Sequence, residues 1–510
     1  MSSLFAKKPL SMLLDEKESG PRLKRVLGPI GLTSLGVGAI IGTGIFVLIG
    51  EVAREKAGPA VMLSFVVAGL ACLFAALCYA EFASMVPVAG SAYTYAYATL
   101  GELMAWIIGW DLVLEYAVGS ATVAVGWSGY FQKLLLLIGG LFGQDWHLPA
   151  AIAQAPIKYV AETGETLTTG ALINLPAFII TMLITVILVR GIQESVRFNA
   201  AMVVVKLAVV AFVIAVGAFY IDPKNWTSPN GFAPNGWTGI SFFGKTIFGN
   251  EDGGHKPLGV VAGAATIFFA YIGFDSVSTQ AEEAKNPKRD LPIGIMASLI
   301  LCTLLYIAVA AVLTGMVPYN EISKDAPVSA AFEAHDLRSA NWLITVGALT
   351  GITSVLLVMM LAQPRVFLAM ARDQLLPPGF FASVHEKYRT PWKSTIMCGL
   401  VVGLMASFLP LGILAELVSI GTLFAFVIVC GAVLVMRRTN PEAERPFRAP
   451  LVPLVPILGI AICLLLMFSL PFENWIRLIG WLAIGLVIYF AYGRKRSVLG
   501  QYLAKSSPSA

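Results

Sequence analysis

The chain has 510 residues, of which 57% are hydrophobic and only 13% are charged, and its formal net charge is +5. Soluble domains carry about 25% charged residues, so a chain of this composition has too little charge to cover a water-facing surface. The composition excludes an ordinary soluble enzyme or nucleic-acid-binding protein and indicates an all-α membrane protein.

Twelve apolar stretches are long enough to cross a bilayer, which takes about 20 helical residues. These predicted spans are 27–50, 59–84, 101–136, 171–190, 200–221, 259–281, 293–317, 340–370, 395–412, 414–436, 453–470 and 475–493. With the amino terminus inside, 24 of the 35 lysines and arginines fall on the cytoplasmic side and ten fall outside. Because positive residues resist translocation, this distribution predicts a multi-pass protein of the plasma (inner) membrane with both termini in the cytoplasm.

Two of the predicted spans are interrupted. Span 1 carries four glycines within residues 36–44, each costing a helix about 1 kcal/mol relative to alanine. Span 6 combines Gly273 with the charged Asp275. Spans 1 and 6 begin two blocks of five spans and start on opposite faces, so the pattern predicts inverted repeats with a substrate site at the midplane. The alternative is close helix packing, because Gly38 and Gly42 also form a small-xxx-small contact.

Unwound backbone at such breaks has the groups that an amino acid requires. Free amides near Thr43 and Gly44 can bind a carboxylate, helped by the positive end of the following half-helix. Free carbonyls near Ile40, Ile41 and Phe269 can accept hydrogen bonds from an ammonium group. A site with both recognises the part that all amino acids share and leaves the side chain to a separate subpocket.

Further motifs occur in order along the chain, and their number and order are specific although each alone is weak. They are Gly42-Thr43-Gly44, Gly58-Pro59, Tyr79-Ala-Glu81, Gly90-Ser91-Ala-Tyr93, Gly109-Trp110-Asp111, Gly273-Phe274-Asp275, Glu282-Glu283, Asn286-Pro287, Pro364-Arg365, Ser419-Ile-Gly421-Thr422 and Pro446-Phe-Arg448-Ala-Pro450. With these motifs the chain resembles bacterial members of the cationic amino acid transporter family in the amino acid–polyamine–organocation superfamily.

The resemblance implies a LeuT-like fold, in which an inverted repeat of five plus five helices is followed by two additional helices. It also implies alternating access and proton rather than sodium coupling. The corresponding segments are a cytoplasmic segment 1–26, a first repeat 27–221, an outer loop 222–258, a second repeat 259–436, helices 11 and 12 in 437–493, and a tail 494–510.

The predicted substrate-binding residues lie on four helices. Ile40 and Ile41 are included for their free carbonyls, and the resemblance implies Thr43, Gly44, Glu115, Phe269, Ile272, Asp275 and Met359. For three of them a structural role is the alternative. Glu115 suits a structural hydrogen bond equally well, Asp275 suits a helix cap, and Met359 suits simple packing.

Lys206 matches the helix 5 lysine that, by resemblance, occupies the place of the sodium ion in sodium-coupled relatives. It lies about two turns from the predicted cytoplasmic end of span 5, so snorkelling to the interface is the alternative. We expect Thr353 and Ser354 of span 8 to hydrogen-bond its ammonium, although ordinary small-residue packing would also account for them.

The sequence therefore predicts a proton-coupled amino acid symporter and not an enzyme. All four histidines fall in predicted loops, and no cysteine pair has metal-ligand spacing, so we expect no bound metal or nucleotide. The expected partners are an amino acid and the lipid bilayer; a small membrane partner stays open. An amino acid or polyamine exchanger on the same fold and an amino acid sensor without net transport are the alternatives.

One further motif lies in the second long predicted outer loop. Residues 239–246 fit the phosphate-loop pattern, which needs a preceding strand, a following helix and access to nucleotide. Because this stretch falls in a predicted outer loop between two spans, we expect no nucleotide to bind there.

Overall fold

The computed structural model describes residues 4–9, 25–86, 88, 91–160, 165–227, 231–252, 257–323 and 326–506. Gly90 and most of the predicted segment 1–26 lie outside the described residues, as do the last four residues of the predicted tail. The α-helices of the described part are α1 Pro29–Ile40, α2 Ile49–Val52, α3 Val61–Met85, α4 Ala92–Thr99, α5 Glu102–Leu141, α6 Ala150–Ala153, α7 Leu175–Arg190, α8 Ile192–Gly217, α9 Val260–Ile267, α10 Pro287–Met316, α11 Pro327–Ala334, α12 Arg338–Arg372, α13 Pro378–Phe381, α14 Trp392–Phe408, α15 Leu411–Thr439, α16 Leu454–Ser469, α17 Phe472–Ile488, α18 Arg494–Arg496 and α19 Val498–Ser506.

Eight helical segments of the described part are long and apolar enough to cross a membrane, and four shorter apolar helices accompany them. Every predicted span overlaps one of these segments, so the chain is a mainly helical, multi-pass membrane protein. Predicted span 5, 200–221, agrees with the apolar segment Phe198–Tyr220, whereas the helix that contains it, α8, already begins at Ile192. Hydropathy marks where a helix enters lipid, whereas a helix can begin earlier among polar residues.

The first interruption lies between α1 and α2. The helix ends at Ile40, Ile41 has an extended backbone (φ −75°, ψ 103°), and helical structure resumes at Gly44 with a π-helical turn. It then continues through α2 and a second π-helical turn to Ala57, and at Gly58 (φ 62°, ψ −147°) the chain turns into a 3₁₀ turn and α3. The backbone around residues 41–43 is therefore unwound in the middle of an apolar segment.

The second interruption follows α9. A 3₁₀ turn, Phe268–Tyr271, leads to the extended Ile272 (φ −59°, ψ 135°) and to Gly273, whose φ of 111° is a left-handed conformation that favours glycine. The chain continues as a second 3₁₀ segment, Phe274–Gln280, before α10 begins. This half of the segment thus consists of 3₁₀ turns and not of a regular α-helix.

The strands of the described part are antiparallel pairs in the two long predicted outer loops. They are β1 Ile157–Val160 with β2 Glu165–Thr168, β3 Ile240–Phe242 with β4 Lys245–Phe248, and β5 Asn250–Glu251 with β6 Pro257–Leu258. Residues 239–246 form most of the β3–β4 hairpin, and a strand rather than a helix follows Gly244. The phosphate-loop match therefore lacks the required strand–loop–helix geometry.

The amino-terminal segment 4–9 is docked where α12 ends. The backbone amide of Lys8 donates to the Tyr97 carbonyl at 3.1 Å, and its buried ammonium donates to the Asp373 carboxylate at 2.5 Å. Asp373 also accepts from the Tyr93 hydroxyl at 2.5 Å, and its backbone carbonyl accepts from the Val498 amide at 3.2 Å. Segment 4–9 and the first residue of α19 thus meet at the carboxyl-terminal end of α12.

Candidate substrate and coupling site

The two interruptions touch each other at Gly44 and Ala270. A Cβ atom added to Gly44 would lie 2.3 Å from the Ala270 Cβ and 2.5 Å from the Ala270 Cα. Carbon atoms in van der Waals contact are about 3.5–4.0 Å apart, so a side chain at position 44 cannot coexist with this approach. Glycine at this position therefore allows the two unwound segments to form one site.

The predicted carboxylate-binding amides lie at the start of the resumed helix. Ile41 donates its amide to the Val37 carbonyl at 3.1 Å, and Phe46 donates to the Gly42 carbonyl at 3.2 Å. The amides of Thr43 and Gly44 fall between these two bonds, in the first turn of a helix, where N–H groups lack an intrahelical acceptor. Their position suits an anion at the positive end of the helix dipole.

The carbonyl groups that end α1 are already hydrogen-bonded. The Tyr306 hydroxyl lies 2.6 Å from the Ile40 carbonyl oxygen and 2.9 Å from that of Ala270, so one phenol bridges both interruptions. A carbonyl oxygen has two lone pairs, which leaves each of these groups able to accept from a substrate ammonium as well. The sequence analysis missed Tyr306; a buried tyrosine in span 7, whose hydroxyl needs a partner, was the available signal.

Lys206 contacts the last turn of α1. Its side chain is fully buried, and Nζ donates to the carbonyls of Val37 at 2.8 Å, Gly38 at 2.9 Å and Ile41 at 3.0 Å. The Ser354 hydroxyl oxygen lies 3.4 Å from the same nitrogen. These carbonyls form the negative end of the α1 dipole, so the ammonium is held by oriented backbone dipoles. Because the ammonium is buried against α1 between the helices, the Lys206 side chain does not extend to the membrane interface as snorkelling would require.

The expected contact of Thr353 with Lys206 is wrong. The Thr353 hydroxyl donates to the Leu349 carbonyl at 2.6 Å and accepts from the Trp127 indole at 3.0 Å. Consecutive residues of an α-helix point about 100° apart, so Thr353 and Ser354 cannot both face one ammonium. Ser354 has a second partner that was not predicted, Asn199. The Ser354 hydroxyl donates to Oδ1 of Asn199 at 2.7 Å.

Buried carboxyl groups border the predicted side-chain pocket. Asp275 accepts from the Tyr116 hydroxyl at 2.7 Å through Oδ2. Its other oxygen, Oε1 of Glu115 and both oxygens of Asp111 have no hydrogen-bond partner among the described residues. Buried polar atoms are normally paired, so these oxygens are available to a ligand or a proton.

The remaining predicted site residues are also buried. Met359 on α12 packs onto Gly119 of α5, where an added Cβ would be 2.9 Å from the methionine Cε. Gly119 lies one turn after Glu115, so Met359 and Glu115 border the same face of α5. Phe269 and Ile272 are buried at the second interruption. No group of three or more histidine, cysteine, aspartate or glutamate side chains among the described residues could hold a metal ion.

Comparisons with known proteins identify the family of the chain. The amino acid permease family matches residues 27–490. The branched-chain amino acid permease BcaP of Bacillus subtilis is 48% identical over 502 residues, covering 98% of this chain and 99% of the relative. The methylthioribose transporter of the same organism is 46% identical over 501 residues, covering 98% and 100%. The vacuolar cationic amino acid transporter 4 of Arabidopsis thaliana is 39% identical over 446 residues, covering 87% and 68%.

The matched family and these relatives are transporters rather than enzymes. The family match covers well over half of the chain, and the relatives include bacterial permeases and cationic amino acid transporters. This chain therefore belongs to the amino acid permease family of the amino acid–polyamine–organocation superfamily.

Proposed function

We propose that the protein is a symporter that imports amino acids together with protons by alternating access. Its helices would form twelve membrane spans with LeuT-like inverted repeats in 27–221 and 259–436, two additional helices in 437–493, and both termini in the cytoplasm. The helical segments that overlap all twelve predicted spans support this topology. Family membership and the two touching interruptions support a transport site at their contact.

The observation that carries proton coupling is the set of oxygen contacts to Lys206. Three carbonyls and one hydroxyl surround its ammonium at 2.8–3.4 Å. Among the described residues, no carboxylate forms an ion pair with Lys206. Such an oxygen cage suits a small cation, and the protonated lysine would supply the charge itself. Because an uncompensated charge in the membrane interior is costly, the ammonium depends on these carbonyls. Loss of the proton would release the end of α1.

The substrate would bind at the contact of the two interruptions. Its carboxylate would accept from the amides of Thr43 and Gly44, and its ammonium would donate to the carbonyls of Ile40 and Phe269. Its side chain would extend toward Met359, Glu115 and Asp275. Ile41 would link the two functions, because its carbonyl accepts from Lys206 at 3.0 Å while its neighbours contact the substrate. No bound metal or nucleotide takes part.

Lys206→Ala tests the coupling. We expect the purified variant to bind alanine, measured as ligand-induced thermal stabilisation, but to lose accumulation driven by an imposed proton gradient in proteoliposomes. Lys133→Ala is the matched control, because Lys133 is a partly exposed lysine on α5 that pairs with Glu333 at 3.2 Å. Concentrative, pH-dependent uptake by Lys206→Ala at the wild-type rate would refute the proposal.

A competition panel defines the substrate. It contains the twenty amino acids and, because one relative is a methylthioribose transporter, methylthioribose as well. Competition by methylthioribose alone would refute an amino acid substrate. Uptake that requires amino acid inside the vesicles would favour an exchanger, and binding without any uptake would favour a sensor.

A further inference from the structure

We infer that Asn199 is a positioning residue for proton coupling: it holds the Ser354 hydroxyl in the orientation that leaves the Gly38 carbonyl to the Lys206 ammonium. The inference rests on the proposed role of Lys206. Asn199 lies on α8 seven residues before Lys206, which places the two side chains on the same face of the helix, about two turns apart. Its side chain is 1% exposed.

The Ser354 hydroxyl has a single hydrogen atom to donate. The Ser354 hydroxyl has two acceptors in range, Asn199 Oδ1 at 2.7 Å and the Gly38 carbonyl oxygen at 3.2 Å. A serine hydroxyl donates one hydrogen bond at a time, and the shorter contact is the stronger one. While Ser354 donates to Asn199, its own lone pairs face Lys206, and the Gly38 carbonyl is free to accept from the ammonium at 2.9 Å.

Without Asn199, the same hydroxyl has Gly38 as its remaining acceptor. It would then compete with the ammonium for electron density on that carbonyl, because an oxygen that accepts two hydrogen bonds holds each of them more weakly than one alone. The lone pairs of the hydroxyl would also no longer be fixed toward Lys206. The competition acts on one of the three backbone bonds that hold the ammonium. Asn199 thus controls the lysine through Ser354 although it forms no hydrogen bond with the lysine itself.

The packing of α1 supports the same assignment. A Cβ atom added to Gly38 would lie 2.8 Å from both Nδ2 and Oδ1 of Asn199. The carboxamide therefore packs directly against the unsubstituted backbone whose carbonyl Lys206 uses. Three helices, α1, α8 and α12, meet at this one side chain, and glycine at position 38 makes the contact possible.

The neutrality of the carboxamide is part of the inference. From α1 the groups facing Lys206 are backbone carbonyls, from α12 the Ser354 hydroxyl, and from α10 the Cys302 thiol, which interacts with it electrostatically. Among the described residues, none of these carries a permanent negative charge. A carboxylate at position 199 would lie one hydroxyl away from the ammonium and would attract its positive charge in every transport state.

Asn199→Asp keeps the shape and the acceptor oxygen but adds this charge. We expect it to bind alanine within about threefold of the wild-type Kd. In proteoliposomes its uptake should lose the wild-type dependence on pH, and accumulation under a proton gradient should fall at least about tenfold. The matched control is Asn174→Asp, because Asn174 is another buried asparagine that accepts from a serine hydroxyl, that of Ser128, but it caps the start of α7, where aspartate is also favourable.

A second pair of variants covers the case in which Asn199→Asp does not fold. Asn199→Ala should reduce gradient-driven accumulation, because the Ser354 hydroxyl is then free to donate to Gly38. The double variant Asn199→Ala/Ser354→Ala removes the competing hydroxyl and should recover part of the loss. A purely structural role for Asn199 predicts the opposite, since the double variant deletes a further buried contact.

Wild type and Lys206→Ala are measured in the same assay. If wild type accumulates alanine under the gradient and Lys206→Ala does not, an unchanged pH profile in Asn199→Asp overturns the inference and leaves the proposed function standing. A double variant that is worse than Asn199→Ala also overturns it. If wild type itself shows no response to the gradient, both the proposed function and this inference are wrong.

Discussion

Gly44→Ala is the smallest change that tests the contact between the two interruptions. The new methyl carbon would lie 2.3 Å from the Ala270 Cβ and 2.5 Å from the Ala270 Cα. One of these atoms belongs to the backbone, so rotation of a side chain cannot relieve the overlap. The two unwound segments must instead move apart by roughly 1 Å to reach an ordinary carbon–carbon distance.

This displacement should weaken substrate binding more than it weakens folding. Overpacking of a buried site costs about 1–3 kcal/mol, which a protein of this size can tolerate. The amides of Thr43 and Gly44 move with the backbone, and a hydrogen bond to a charged group contributes about 1.5–3 kcal/mol. Losing one such bond at about 2 kcal/mol corresponds to a Kd roughly 30-fold higher. Gly44→Val, with a bulkier branched side chain, should abolish binding while leaving an extractable protein.

The assay is titration calorimetry with alanine, combined with thermal unfolding in detergent with and without alanine. Gly129→Ala on α5 and Gly431→Ala on α15 are matched controls, because an added Cβ at either position meets no atom within 4 Å. Both controls should bind alanine with the wild-type Kd and should be no less stable, since alanine favours helix over glycine. A wild-type Kd in Gly44→Ala would refute the site.

Three further predictions address other parts of the molecule. If Met359 limits the pocket, wild type should prefer small neutral amino acids and Met359→Ser should admit arginine as a competitor of alanine uptake; better transport of arginine than alanine by wild type would contradict this. Tyr306→Phe removes the phenol that bridges both interruptions and should lower the Tm by a few degrees, at about 1 kcal/mol per lost hydrogen bond; an unchanged Tm would show that the bridge does not stabilise the fold. Lys8→Ala leaves the buried Asp373 without its cation, which costs about 3–5 kcal/mol for such pairs. Its Tm should therefore fall well below that of the control Lys7→Ala, because Lys7 is exposed; equal Tm values would contradict this.

Features that carry a cost in lipid could be predicted from the sequence. The glycines of residues 36–44 are expensive in an apolar helix, so their presence predicted a break. The charge of Lys206 is expensive as well, but its placement in the interior depended on the resemblance, because snorkelling was the alternative. Tyr306 and Asn199 carry no comparable cost, because a neutral polar group can find a partner almost anywhere in a helix bundle. Their partners, Ile40 for Tyr306 and Ser354 for Asn199, are distant in sequence, and only the packed structure brings them together.

The rotation of a helix about its axis and the exact position of its ends could not be predicted from the sequence either. The choice between Thr353 and Ser354 depends on a rotation of about 100°, which the sequence of span 8 does not reveal because its apolar residues do not mark a single face. The start of α8 at Ile192 could not be located from hydropathy, because the residues before 200 are polar yet helical. Close approaches between backbones, such as Gly44 with Ala270, also leave no trace in the sequence beyond the glycine itself.

The docking of the amino-terminal segment constrains the order in which the protein can be assembled during synthesis. Lys8 leaves the ribosome 365 residues before its partner Asp373. At about 5–20 residues per second, translation of that interval takes roughly 20–70 s. During this time the ammonium has no partner at position 373, and eight of the twelve predicted spans must be made before the pair can form. Burial of Lys8 is therefore a late event, and its protection from an amine-reactive reagent would report that a nascent chain has assembled at least through α12.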